Sequence, residues 1–417
     1  MKIADVFTAG GVPNITYNSR KSNHLEENLL MDLDIKGKII SVTGPTKIGK
    51  TTLCKKVISE DSLILISGGG LKNTDDFWST IVTKMTVASS WNKEEGTEDE
   101  LKDTKTTRVF GEGGFLGWFK AGVDLSETKQ KGNKKHITKS TSYTPSPMNL
   151  AIESLLAGNK VLLIDDFHYC TKDLQKDIIR ALKEPIAQGL NVIVSSVPHR
   201  GVDSVKVEQE MEGRVIQFPI EPWKPDELHE ISKKGFEALN LDCPKSIIDD
   251  FINESYKSPH LMQDFCYWYC RKNGIFEKQG DKFFLPNELD LNDFFGKLVK
   301  DNSSRDLYER LVTGPEGDRK LREFKNGSEG DIYYAIMISL SNLTHHTEIT
   351  VDMVREQLKE ILISSSMPNK TQITNVLKKM SELAKDYTNR EPAIDFQSDR
   401  LYVVDPFFSF YLKWSEK

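Results

Sequence analysis

The stretch IISVTGPTKIGKTTLCKKVI, from Ile39 to Ile58, constrains the fold of this chain more than any other. An apolar run is followed by two glycines in the spacing Gly44-x-x-x-x-Gly49-Lys50-Thr51, and then by a helical pattern. That spacing is the phosphate-binding loop pattern, and its chemistry accounts for each residue. The glycines let the backbone curl so that successive N–H groups point at phosphate oxygens. A helix starting near Lys50 presents its positive end to the same anion. Lys50 is placed to reach the β- and γ-phosphates, and Thr51 to offer its hydroxyl to Mg²⁺. Gly44, Pro45, Thr46, Lys47, Ile48, Gly49, Lys50, Thr51 and Thr52 are therefore the expected nucleotide cradle. A glycine turn joining a strand to a helix is the simpler alternative. The strand-like run before the loop and the helical run after it favour the nucleotide.

The loop needs a partner that holds Mg²⁺ and orients water, and VLLIDDFHY supplies one. Four apolar residues make a buried strand, and Asp165 and Asp166 emerge at its end. Asp165 is the expected Mg²⁺ ligand, and Asp166 is placed to polarise the attacking water. Lys50 and Asp165 are far apart for such a pair, but Trp91–Pro145 is polar and breaks the surrounding rhythm. Read as an insertion, its removal leaves roughly 60 positions, ordinary for two strands and their helices.

Apolar runs at Lys38–Val42, Ser62–Ser67, Val161–Asp165, Asn191–Ser196 and Arg214–Ile220 alternate with helical stretches, which argues for a parallel sheet wrapped by helices. After Ile220 the pattern turns helical, through EPWKPDELHEISKKGFEAL, SIIDDFINES and SPHLMQDFCYWYC. From about Phe283 a third region is expected. Three helices, DIYYAIMISLSNL, TVDMVREQLKEIL and NKTQITNVLKKMSELAK, are followed by a strand, a turn and a strand in PAIDFQSDRLYVV, the order of a winged helix. The predicted division is 1–222 for a P-loop ATPase core with an insertion at about 91–145, 223–282 for a helical lid, and 283–417 for a winged-helix domain.

At 417 residues the chain can hold such domains, and 38% hydrophobic with 28% charged residues describes a globular protein without a membrane span. The N-terminus lacks a signal-peptide core. The five cysteines show no paired metal-ligand spacing, and a reducing cytoplasm suits them.

With these residues in hand, the chain resembles the AAA+ and STAND group of P-loop ATPases, above all bacterial and archaeal ATP-binding proteins with a helical lid and a C-terminal winged helix. The resemblance runs from about Tyr17 to Trp414 and leaves out the insertion. It implies ATP as the nucleotide and Mg²⁺ as the metal. YNSRKSNHLEENL sits where that group contacts adenine, but lacks its glycine, so Tyr17 and Arg20 carry over weakly. VIVSSVPHR looks like the sensor strand, with Ser195 or Ser196 near the γ-phosphate and Arg200 as a phosphate-sensing arginine. MEGRVIQFPIEPW is similar to the segment that carries an arginine finger in many relatives, which makes Arg214 the candidate. SPHL matches the lid segment near adenine and brings in Pro259, although Ser258 and Pro259 also make an ordinary helix start. His260 stands where many AAA+ lids have an arginine.

The double Asp, where Asp-Glu is usual, leans toward STAND and implies slow turnover or a nucleotide used as a clamp. The expected function is a switch ATPase that couples Mg-ATP binding to conformational change, to a protein partner or to self-assembly; bacterial defence is a setting suggested by resemblance alone. The alternative is an ATPase acting on DNA, a loader or transposition helper, with the winged helix as reader. A third reading is a nucleotide-binding interaction module that hardly hydrolyses. Charge weighs against DNA. The whole chain carries −6, and Asp281–Lys417 holds nineteen Lys/Arg against twenty-three Asp/Glu. A duplex-gripping domain needs a basic face to release counterions.

Overall fold

The structure is a computed structural model and describes residues 1–94, 146–197, 213–300, 304–387 and 392–415. Five of the apolar runs form one parallel sheet: β1 (Ile39–Thr43), β2 (Leu63–Ser67), β3 (Val161–Asp165), β4 (Asn191–Ser196) and β5 (Val215–Pro219). Their spatial order is β2-β3-β4-β1-β5. Side chains along a strand alternate between faces, and the burial follows that period. Ile40, Val42, Leu163 and Ile193 feed one apolar cluster, while Ile39, Leu162, Ile164, Val192 and Val194 feed another on the opposite face. Burial on both faces explains why these strands are continuous apolar runs.

The helices of this part are α1 (Ile3–Val6), α2 (Leu25–Asp34), α3 (Lys50–Val57), α4 (Thr74–Glu94), α5 (Pro147–Ala157) and α6 (Lys172–Ala187). Helix α4 continues through Glu94, past the expected start of the insertion at Trp91. The rest of that segment, 95–145, lies outside the described residues.

Beyond β5 come α7 (Pro225–Ala238), β6 (Leu241–Asp242), α8 (Lys245–Glu254), α9 (Pro259–Lys272), β7 (Phe283–Phe284) and α10 (Leu291–Lys300). Pro225 and Pro259 sit in first-turn positions, where the missing N–H costs nothing. The Ser258 hydroxyl accepts the Leu261 N–H and caps α9. An aromatic core joins α8, α9 and α10: Phe251 stacks on Phe294 at 5.6 Å, and Phe265 meets Phe295 at 4.8 Å.

The remaining elements are α11 (Ser304–Thr313), β8 (Arg322–Glu323), β9 (Glu329–Gly330), α12 (Ile332–Ser341), β10 (Glu348–Thr350), α13 (Val351–Ile361), α14 (Lys370–Tyr387), β11 (Ile394–Gln397), β12 (Arg400–Val403) and α15 (Pro406–Trp414). Helices α12, α13 and α14 fall where their apolar periodicity predicts. The hairpin β11–β12 gains a third strand, β10, in the order β10-β12-β11. Three residues, Glu-Ile-Thr, are too short to announce a strand by alternation. Helix α15 spans two cores, with Phe410 and Tyr411 in the aromatic one and Phe408 and Leu412 in that of α12–α14. Among the described residues no helix is long and apolar enough to cross a membrane.

Candidate nucleotide-binding site

Parallel strands place the loops at their carboxyl ends along one edge, where open α/β sheets bind ligands. The loop of residues 44–49 leaves β1 there and turns directly into α3. Gly49 precedes the helix with φ of 100°, a conformation that a side chain would strain. Lys47 also holds a positive φ, 56°, without being glycine. The loop is tied to its surroundings by the Gly44 N–H, donated to the Ser196 carbonyl at 3.3 Å, and by the Trp223 indole N–H, donated to the Ile48 carbonyl at 2.9 Å.

Lys50 is buried, and its ammonium donates to the Gly44 and Pro45 carbonyls, both at 2.9 Å. The cation is thus held inside the loop's own curl, where phosphate oxygens would compete for it. From the first turn of α3, the Thr51 hydroxyl donates to Asp165 Oδ2 at 2.5 Å. The other oxygen of Asp165 accepts the Ser195 hydroxyl and, at 3.1 Å, the Asp166 N–H. A hydroxyl and a carboxylate converging beside the loop form a hard-oxygen pair suited to Mg²⁺. The residues present therefore fit both a nucleotide phosphate chain and its metal. Among the described residues no group of three or more His, Cys, Asp or Glu gathers as a metal cluster.

Asp166 adopts φ of 52° as β3 ends. The turn is possible because Gly68, at the end of β2, has no side chain: a Cβ there would lie 2.6 Å from the Asp166 carbonyl oxygen. Burial raises the Asp166 pKa, the Asp165 carboxylate beside it adds to the rise, and Lys50 opposes it. Ser196, one of the two serines predicted near the γ-phosphate, is fully buried and its hydroxyl has no hydrogen-bond partner among the described residues. Ser195 is the serine that touches Asp165.

A cavity of about 340 Å³ opens beside the loop. Its walls include Thr46–Leu53 and Asp166 from the sheet edge, Tyr17, Asn18 and Arg20 from the N-terminal segment, and Pro259, His260 and Gln263 from α9. Pro259 is therefore brought to the same cavity as the loop. Tyr17 donates its hydroxyl to Glu26 at 2.6 Å. Arg20 is buried against Glu227 at 3.0 Å and donates to the Glu221 and Pro222 carbonyls, so its guanidinium clamps the segment after β5. Gln263 stitches α9 to the N-terminal segment by accepting from Thr16 Oγ1 at 2.8 Å and the Thr8 N–H at 3.0 Å. Thr16, Gly68, Trp223 and Gln263 carry no motif. Their roles come from close approach of segments distant in the chain, which spacing cannot reveal.

The two arginines fare differently from the loop residues. Arg200 lies outside the described residues. Arg214 is exposed at the opposite edge of the sheet, where its carbonyl accepts the Ile39 N–H at 2.9 Å. The five residues of β1 separate it from the loop, roughly 16 Å of strand. Within one chain Arg214 is not brought to the site.

On α9, His260 and Asp264 approach to 3.6 Å. Burial, and then the nearby Lys47 ammonium, push the His260 imidazole down to about 4. Burial pushes the Asp264 carboxyl up to about 6, against an opposing pull from Lys47. Around pH 5 both groups are predominantly neutral, so the contact is not an ion pair in that range. Lys47 itself leaves the loop to meet Asp405 at 3.2 Å and sits 3.6 Å above the Phe407 ring.

No protein-family model matches this chain, and no curated protein matches it. Solved structures do. A Walker-type ATPase of Pyrococcus abyssi is similar with a TM-score of 0.50 at 16% identity, over 93% of this chain and 94% of that one. The ORC2 protein of Aeropyrum pernix, in ADPNP-ADP complexes, gives 0.49 at 13% identity, over 97% and 96%. A STAND protein with a tetratricopeptide repeat sensor from Pyrococcus horikoshii gives 0.37 at 14% identity, over 96% of this chain and 43% of that one. At such identities the likeness to the Pyrococcus abyssi ATPase speaks of the fold alone. The chain has a P-loop NTPase fold built on a five-stranded parallel sheet.

Proposed function

We propose that this chain is an ATP-binding switch ATPase of the STAND and AAA+ kind, in which Mg-ATP ties three parts of the molecule together and slow hydrolysis releases them. One observation carries the reading. The phosphate loop continues the sheet edge, lines one cavity together with Pro259, His260 and Gln263 of α9, and through Lys47 meets the cap of α15. A ligand seated on that loop touches the parts that would have to move. In this reading residues 223–282 act as the lid, residues 283–417 as a winged-helix domain, and the insertion lies within the core.

The loop amides and Lys50 bind the phosphates, and Thr51 with Asp165 holds Mg²⁺. When bound, the metal neutralises charge on the β- and γ-phosphate oxygens. Asp166 orients and polarises the attacking water. Its raised pKa suits a base that takes up a proton, and its short side chain keeps turnover low. Ser196 offers its unpartnered hydroxyl to the γ-phosphate, and Pro259 packs at the base. Arg200 and Arg214 remain candidates for a sensor and for a finger supplied by a second copy. The partner is a protein or another copy rather than DNA. Three lysines of α14, the helix that would enter a groove, are already paired: Lys370 with Asp352, Lys379 with Glu382 and Lys385 with Asp395.

Calorimetric ATP and ADP titration together with single-turnover hydrolysis, each with and without duplex DNA, tests the proposal. ATP binding with slow turnover that DNA leaves unchanged supports the switch. Turnover stimulated tenfold or more by DNA would move the protein to the loader class, and absence of nucleotide binding would overturn both.

A further inference from the structure

The far side of α9 carries a second and larger cavity, about 730 Å³, framed by α9, α10 and α15. Its volume falls in the range of small-molecule sites. Phe265, Phe294 and Phe410 form its floor, all nearly inaccessible, and they are the outer layer of the aromatic core. Trp268 also lines the cavity and is 41% exposed, so an indole face is open to an occupant. The rim is basic. Arg271, Lys272 and Lys297 all line the cavity. Lys272 and Lys297 share a single carboxylate, Asp293, at 3.0 and 2.7 Å, and Arg271 lies over the Phe276 ring at 4.8 Å. Three cations stand against two carboxylates, Asp293 beside the rim and Asp264 in the lining, which leaves a surplus of one positive charge on a chain that is acidic overall. Asp264 is the acid among the lining residues; burial pushes its carboxyl up to about 6, so it is largely ionised at neutral pH.

An aromatic floor with a cationic rim recognises one kind of occupant. We propose that this cavity is a second ligand site, for a small organic anion with an aromatic or acyl body, and that its occupancy is felt by the phosphate loop through Phe407. The body lies against Trp268 and the phenylalanine floor. The anionic group meets Lys297, Lys272 and Arg271, whose charge-assisted hydrogen bonds fix its orientation. Phe407 is the link between the two cavities. It lines this cavity, and its ring carries Lys47 at 3.6 Å and meets His260 edge-on at 4.8 Å, both of which line the nucleotide cavity. A ligand that pushes on Phe407 shifts the side chain on which the loop cation rests. The coupling half of the inference rests on the nucleotide reading above; the binding half does not.

The test uses the full chain and two probes of similar body: 8-anilinonaphthalene-1-sulfonate, which is anionic, and N-phenyl-1-naphthylamine, which is neutral. The sulfonate is expected to bind one-to-one, to quench Trp268 emission, and to lose affinity tenfold or more in the exposed-site variant Arg271→Ala/Lys297→Ala. The neutral probe should change less than twofold in that variant. Trp268→Phe should remove the quenching while leaving a folded protein. Saturating sulfonate is expected to change ATP affinity at least threefold, and Phe407→Leu to abolish that change. Equal response of both probes to the charge variant would overturn the anionic class. No one-to-one site, or a sulfonate displaced by ATP in simple competition, would overturn the second cavity. Binding of the sulfonate with an ATP affinity that stays constant would overturn the coupling, whereas failure of ATP to bind at all would fall on the nucleotide reading and leave the second site standing.

Discussion

The two cavities that meet at α9 are built on opposite plans. The nucleotide cavity is organised around one continuous stretch, Thr46 to Leu53, where the loop after β1 runs into α3, with Lys50 held inside the loop's curl. The cavity across the helix is made of side chains from three helices, Leu261–Lys272, Phe294–Leu298 and Phe407–Phe410, distant from one another in the chain. In the proposed reading the first would draw its affinity from oriented N–H groups, which only a particular local conformation supplies. The second derives its shape from packing, which many sequences satisfy. Substitutions should therefore act almost all-or-none in the first and by degrees in the second.

The largest expected effect is that of Lys50→Ala. Its ammonium is the only Lys or Arg charge hydrogen-bonded within the loop's curl among the described residues. Calorimetry should show ATP affinity reduced a hundredfold or more, about 3 kcal/mol. The two carbonyl bonds lost in the free protein have a charged donor and are worth about 1.5–3 kcal/mol each, largely offset by the cost of burying that ammonium, which the substitution removes. Melting of the apo protein should fall by only a few degrees. The sulfonate probe should bind the variant as it binds the wild type. ATP affinity within threefold of wild type would break the assignment of the loop.

Next is Asp166→Asn, which keeps the shape and removes the charge. Single-turnover hydrolysis should drop about a hundredfold, close to 3 kcal/mol of barrier, with ATP binding preserved. Asp165→Asn should also weaken Mg²⁺-dependent binding, because Thr51, Ser195 and the Asp166 N–H all converge on that carboxylate. Unchanged hydrolysis in Asp166→Asn would hand the water to another group. Arg200→Ala and Arg214→Ala belong to the same assay. Since Arg214 lies at the far edge of its own sheet, any part it plays must come from a second copy. Mixing Arg214→Ala with Lys50→Ala should then restore a fraction of the activity, and no restoration at any ratio would return it to the surface.

The contrast between the cavities also explains what could be read before the structure. The loop was legible because its function demands residue types at fixed spacing. The five strands were legible because a two-sided sheet demands unbroken apolar runs, and Val161–Asp165 and Asn191–Ser196 end where expected. Asp165 and Asp166 follow from the same logic, polar residues at the end of a buried strand. Gly68, Trp223 and Gln263 were not legible: each acts through a neighbour more than ninety positions away. Strand β10 was missed because three residues establish no period, and the Lys47–Asp405 contact because it joins residues 358 positions apart.

A smaller effect, about 2 kcal/mol at most, is expected at the helix between the cavities. Asp264 holds its proton up to about 6, above its ordinary 3.8, so its contribution to stability is full below 3.8 and lost as pH rises through 6. His260 titrates near 4, below its ordinary 6.5, so its contribution is full above 6.5 and lost as pH falls through 4. The two slopes oppose each other across the same window and largely cancel. Each side chain keeps partial contact with solvent, which reduces the full value of shifts this size. Melting temperatures of Asp264→Asn, relative to wild type, should rise between pH 4.5 and 6.5, and those of His260→Asn should fall. Lys47 deepens the downward shift of His260 and opposes the upward shift of Asp264, and Asp405 also faces His260, so Lys47→Met should flatten the His260→Asn difference and steepen the Asp264→Asn difference. Parallel curves for wild type and both variants would show that neither group is as buried as the geometry places it.

The smallest effect concerns the link itself. Asp405 does two things with one carboxylate: it accepts the Phe407 N–H at 2.9 Å as the cap of α15, and it pairs with Lys47 at 3.2 Å. Asn caps a helix about as well as Asp, so Asp405→Asn keeps the first role and removes the charge of the second. The pair is about one-third exposed on both sides, which limits its worth to about 1 kcal/mol or less. If Lys47 must leave Asp405 to serve the phosphates, the substitution relieves that competition. ATP affinity should then increase, by no more than about fivefold at low salt, and the gain should shrink as salt screens the wild-type pair. Lys47→Met keeps an apolar stem over Phe407 and removes the ammonium, so it should lose affinity where Asp405→Asn gains it. Opposite signs in the two variants would mark Lys47 as a cation shared between the loop and α15. Equal and small losses in both would make the pair an ordinary surface contact. The two cavities would then be neighbours that share a phenylalanine and no signal.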